Sequence, residues 1–88
     1  MPKLNLTCDR VPKHLGPQAA VDTTEEFSHR PWHRDVICSW DGSLLIIKAE
    51  NDFDSDGLAL QDEFSDAISA CVSEGFNGKT RIVSVVDL

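Results

Sequence analysis

The feature that most constrains this chain is Asp41-Gly42, which lies between two runs of strand-forming residues. One run is Asp35-Val36-Ile37-Cys38-Ser39-Trp40 and the other is Ser43-Leu44-Leu45-Ile46-Ile47-Lys48-Ala49. Asp-Gly in this setting is a strong hairpin signal, because a two-residue type I′ turn needs φ > 0 at both central positions. The spacing predicts a hairpin over 35–49 in which Trp40 faces Ser43, Cys38 faces Leu45 and Val36 faces Ile47. Those residues, with Ala49, would form the core side. Asp35 opposite Lys48, Ile37 opposite Ile46 and Ser39 opposite Leu44 would form the other side.

A two-stranded hairpin is barely stable in water and needs a further layer. Leu60, Phe64, Ala67, Ile68, Cys71 and Val72 recur at helical spacing, which predicts one long amphipathic helix over about 58–74. Gln61, Asp62, Ser65, Asp66 and Ser69 would face outward. Asp54, Ser55 or Asp56 can cap its start, where carboxylates also suit the positive end of the helix. Gly75 fits the left-handed position after a helix, and Asn77-Gly78 reads as a turn. A C-terminal strand is expected over 81–87, and the alternation in Leu4-Asn5-Leu6-Thr7-Cys8 predicts an edge strand over 4–8. Residues 9–34, broken by Pro12, Gly16, Pro17 and Pro31, read as irregular. Within them Thr23-Thr24-Glu25-Glu26 has capping-box spacing, which suggests a short helix near 24–29. The expected fold is α+β: a mixed three- or four-stranded sheet with the long helix on one face and the last strand parallel to Ser43–Ala49 through a right-handed crossover. With 88 residues the chain has room for a single domain, 1–88, with a thin core.

The formal charge of −7 is concentrated in the middle of the chain, where residues 41–78 hold one base, Lys48, against nine acids. Such a surface repels nucleic acid and anionic membrane and suits a basic protein partner. Cys8, Cys38 and Cys71 are odd in number and widely spaced, which argues for a reducing compartment and hence the cytoplasm. No apolar run reaches the length of a signal peptide or a membrane span, the longest being Leu44–Ile47.

Asp52-Phe53-Asp54-Ser55-Asp56-Gly57, with Glu63 at the twelfth position, has the D-x-D-x-D-G-x5-E spacing of a calcium loop. Calcium takes six to eight hard oxygens. Here they would come from Asp52, Asp54, Asp56, the Leu58 carbonyl, a water and bidentate Glu63, with Gly57 at the sharp turn. Over residues 52–71 the segment resembles an EF-hand, including the apolar spacing of the exiting helix. The resemblance implies a calcium-binding loop at 52–63. The chain departs from the pattern at Ala59, where that family has a branched aliphatic residue, and it has no second copy of the motif. The alternative is a set of carboxylates that cap the helix.

Other chemistry has little support. His29 and His33, with Cys8 or His14, could be counted towards a zinc set, but Pro31 lies between the two histidines and the usual cysteine pairs are absent. Cys38 and Cys71 fall on core-facing positions, leaving Cys8 as the candidate reactive thiol, with no nearby base evident. No nucleophile elbow, Gly-rich phosphate loop or cofactor motif is present. The expectation is therefore a non-enzymatic interaction module with an inhibitor- or immunity-like surface. It would bind a protein partner through an acidic loop–helix face that includes Asp62 and Asp66, with Trp32, flanked by Arg30 and Arg34, as an anchor. Homodimerisation through a sheet edge, at Leu4–Cys8 or Arg81–Leu88, is a further expectation.

Overall fold

The computed structural model describes residues 2–52, 56–72 and 78–87. In chain order they form β1 (Pro2–Cys8), α1 (Gly16–Phe27), β2 (Arg34–Trp40), β3 (Leu45–Glu50), α2 (Leu58–Cys71) and β4 (Thr80–Asp87). The sheet order is β2-β3-β1-β4, and every neighbouring pair is antiparallel. With α1 joining β1 to β2 and α2 joining β3 to β4, the chain makes two interleaved split β-α-β units, the ferredoxin-like plan.

Strand alternation explains which side of the sheet is covered. Leu4, Leu6 and Cys8 of β1 and Leu45, Ile47 and Ala49 of β3 point to one face and are buried. Both helices press their apolar stripes onto that face: Ala19, Ala20 and Phe27 from α1, and Leu60, Phe64, Ala67 and Ile68 from α2. Side chains of the intervening positions, among them Lys3, Ile37 and Lys48, stand exposed on the opposite face. Gln61 Nε2 donates to the Thr80 carbonyl at 3.0 Å, and Ser65 and Thr80 pair through their hydroxyls at 3.1 Å, which fixes α2 against the start of β4.

The α+β class is as the sequence predicts, and several details differ. The expected edge strand at 4–8 is an inner strand. It lies between β3 and β4, so the sheet is wholly antiparallel rather than mixed, while β3 and β4 still run in the same direction. Residues 9–34 are not irregular throughout, because a 12-residue helix occupies Gly16–Phe27. Its buried stripe is Gly16, Ala19, Ala20, Thr23 and Phe27. Those spacings are helical, but most of the residues are too small or too polar to read as apolar. Thr23, the first residue of that spacing, does not cap a helix; it is buried inside one, and the neighbouring Thr24 hydroxyl donates to the Ala20 carbonyl at 2.9 Å. The second helix ends at Cys71 rather than near 74, since Val72 is already extended. The expectation for Gly75 falls outside the described residues.

The hairpin is present with its register moved. Trp40 pairs with Leu45, Cys38 with Ile47 and Ile37 with Lys48, so Asp35 does not face Lys48. The cause lies in Asp41. Its Oδ1 accepts the backbone N–H groups of Ser43 at 2.8 Å and Leu44 at 2.6 Å, which winds residues 41–44 into a four-residue connection. The side-chain pattern survives because the displacement keeps the same residues facing the core. A bulge between Arg34 and Ile37, with Asp35 at φ 51°, breaks the pairing at the other end of β2.

Two contacts fix α1 on β2. Gly16 lies flat against the Trp40 indole, where any Cβ would overlap the ring. On the free edge of β2, the Thr24 hydroxyl accepts the Cys38 N–H at 3.1 Å and lies 3.3 Å from the Cys38 carbonyl. An edge strand normally leaves such groups open to another chain, and Thr24 closes them at this point.

Candidate functional site

A polar cluster gathers where α1 hands over to β2, close to the end of β3 and the second turn of α2. Glu63 is its hub. Its Oε1 accepts from Arg30 Nη1 at 2.9 Å and from Trp32 Nε1 at 3.1 Å. Its Oε2 meets His33 Nε2 at 2.5 Å. On the far side of the imidazole, Asn51 Nδ2 lies 3.2 Å from His33 Nδ1. The amide nitrogen can only donate, so Nδ1 is the acceptor and Nε2 carries the proton that it gives to Glu63.

Local sequence places each member. After Phe27 the chain turns twice, with Arg30 N–H on the Phe27 carbonyl at 3.0 Å and His33 N–H on the Arg30 carbonyl at 3.1 Å. These turns aim Arg30, Trp32 and His33 at α2. The Arg30 guanidinium also lies 5.3 Å over the Phe27 ring, and the Phe27 and His33 rings stand 5.5 Å apart. The His33 side chain has no exposure, whereas Trp32 is 49 % exposed.

The Glu63 carboxyl feels opposing influences. Burial pushes its pKa up. The hydrogen bonds from His33 and Arg30, the imidazole charge when protonated and the Trp32 hydrogen bond outweigh that effect, and the pKa is lowered overall. This carboxylate is therefore held ionised. Both nitrogens of His33 are engaged and its ring is sealed from solvent, so the Glu63–His33–Asn51 chain joins three segments of the fold and offers no free nitrogen to a substrate.

The structure distributes the expected calcium ligands as follows. Glu63 spends both oxygens on Arg30, Trp32 and His33. Asp56 Oδ1 accepts the Leu58 N–H at 3.1 Å at the start of α2, and Asp52 is exposed. Gly57 takes φ 81°, the left-handed conformation expected of it. Asp54 lies outside the described residues. Among the described residues no three His, Cys, Asp or Glu side chains converge as a metal set, the His29–His33 pair included.

Cys8, the expected reactive thiol, is buried in β1, and burial with the nearby Asp9 charge pushes its pKa to about 12. Burial, with Cys71 and Cys8 nearby, pushes Cys38 to about 12 as well. Neither forms the thiolate that nucleophilic chemistry needs at neutral pH. Asp62 and Asp66 are exposed one helical turn apart on α2, on either side of Glu63 in sequence.

Three residues of the cluster, Arg30, His33 and Asn51, carried no functional expectation in this arrangement. Arg30 and His33 lie 33 and 30 positions from Glu63, beyond any local motif, and the pairing of Asn51 with His33, 18 positions away, is visible only once β3 and α2 are packed. Comparison with protein-family models, with curated proteins and with solved structures finds no significant match. Among the described residues no helix is long and apolar enough to cross a membrane.

Proposed function

We propose that this chain is a non-catalytic protein-binding module whose contact face is Trp32 with the exposed carboxylates Asp62 and Asp66 of α2. The observation that carries this reading is the state of Trp32. Half of its surface is open to solvent while its indole N–H is tied to Glu63. A large aromatic held in one orientation gives contact area without the entropy cost of ordering it on binding. Aromatic anchors of this kind dominate binding energy at interfaces.

The carboxylates supply the second half of the reading. Asp62 and Asp66 suit a basic partner and would steer its approach, with a rate that falls as salt rises. The reading places the module in a reducing compartment such as the cytoplasm, where Cys8, Cys38 and Cys71 stay as free thiols.

The test is quantitative capture of partners by the wild-type chain, by Trp32→Ala and by Asp62→Lys with Asp66→Lys, each checked for unchanged circular dichroism. A partner lost with both changes supports the reading. A partner retained at full affinity by both variants refutes it.

A further inference from the structure

We infer that the uncovered face of the sheet is the docking surface for a second copy of this chain, related by a two-fold axis that runs along the strands between β1 and β3. Both helices lie on the other face, and this one carries a cleft of about 400 Å³. The cleft is lined by Lys3, Lys48, Asp35 and Glu50, whose charges balance, together with Asn5 and exposed Ile37. In a chain of net charge −7 this is the surface on which two copies meet without like-charge repulsion, with Asp62 and Asp66 on α2 turned away from the contact.

The strand register makes the face self-complementary. β1 and β3 are the two central strands, with Lys3 opposite Glu50 and Asn5 opposite Lys48. A two-fold axis between them lays β1 of one copy over β3 of the other at the same level. Lys3 then meets Glu50 of the second copy, and Glu50 meets its Lys3, which extends the 3.8 Å pair that already exists within each chain. At the next level Lys48 meets Asn5. Within one chain Asn5 Oδ1 is buried with no hydrogen-bond partner, and among the described residues Lys48 has no ion pair. The half-exposed Asn5 side chain and an unpaired cation are thus brought to the same level by the symmetry itself. Face-to-face sheets stand about 10 Å apart, a gap that a lysine and an asparagine can fill from opposite sides. An interface of this kind presents the same patch from each copy, as two-fold contacts require.

Four short strands make a small interface, so the association is expected to be weak and concentration-dependent. Sedimentation equilibrium of the full chain, carried to millimolar protein, should show a species of twice 9.7 kDa. Lys48→Glu, which sets a carboxylate against Asn5 and beside Glu50, should return the mass to that of one chain. Lys48→Glu combined with Asn5→Lys should restore the dimer, because a lysine then meets a carboxylate across the axis. Ile37→Asp, at a site 62 % exposed, gives the same loss by an independent route if Lys48→Glu does not fold. Trp32→Ala should leave self-association unchanged, which separates this surface from the proposed partner face. A chain that stays monomeric throughout overturns the inference. So does a dimer that survives both Lys48→Glu and Ile37→Asp, which would place the contact on a strand edge.

Discussion

Replacing Glu63 with glutamine removes one charge and changes few atoms, so it isolates what the polar cluster contributes. The glutamine oxygen can still face Arg30 and Trp32, but the bond to Arg30 loses its charge assistance. Hydrogen bonds to charged groups contribute about 1.5–3 kcal/mol against about 0.5–1.5 for neutral ones, so this loss is about 1 kcal/mol. The glutamine nitrogen then faces His33 Nε2, and two donors meet where the histidine is fully buried. Leaving a buried donor unpaired costs about 1–3 kcal/mol. The expected destabilisation is therefore about 2–4 kcal/mol. For a domain of this size that lowers Tm by about 10–25 °C and the urea midpoint by about 1–3 M. The assay is urea unfolding followed by far-ultraviolet circular dichroism, with Asp66→Asn on the exposed face as the control.

The pH dependence sharpens the test. The Glu63 pKa is lower in the folded chain than its ordinary 4.5. As pH falls, the unfolded chain therefore takes up its proton first, and stability present above about pH 5 is lost progressively through the folded pKa. Glutamine mimics the protonated acid. The wild-type and Glu63→Gln curves should thus lie apart at pH 7 and converge as the wild type is acidified. A difference below about 0.5 kcal/mol at pH 7, within the range of ordinary surface substitutions, would refute the reasoning. Parallel pH curves would do the same.

Three further outcomes are expected. Gly16→Ala should lower Tm although alanine favours helix, because its methyl overlaps the Trp40 indole; overpacking costs about 1–3 kcal/mol, more than the propensity gain, and a thermal melt decides the sign. Thr24→Val should destabilise by about 1–3 kcal/mol, since it leaves the part-buried Cys38 N–H without its acceptor; loss of amide-exchange protection at Cys38 should accompany it. Glu63 would have to release Arg30 and His33 before it could ligate calcium, so millimolar calcium added to chelator-treated protein should leave Tm unchanged within about 1 °C; a ligand at about 100 times its Kd would instead add about 2.7 kcal/mol.

What could be read from the sequence followed from short-range periodicity. The stripe Leu60, Phe64, Ala67 and Ile68 identifies α2 because large apolar side chains recur at 3.6 residues, and alternation in Leu4–Cys8 and Leu45–Ala49 identifies strands with one buried face. Gly57 could be assigned its positive φ from local chemistry alone. α1 was not legible, because helix formation there rests on packing small residues against Trp40 and β2 rather than on an apolar stripe. Nor was the place of β1, since insertion of the first strand between β3 and β4 is a pairing across most of the chain, and alternation is the same at an edge and at the centre. The hairpin register turned on hydrogen bonds to one Asp41 oxygen, which a dipeptide signal does not encode. The sequence by itself determined the element types of the four strands and of α2, and the acidic character of residues 41–78. Only the tertiary structure decided that Glu63 serves Arg30, Trp32 and His33. Those partners lie 30–33 positions away, and only the burial of both helices on one sheet face brings them within hydrogen-bonding distance.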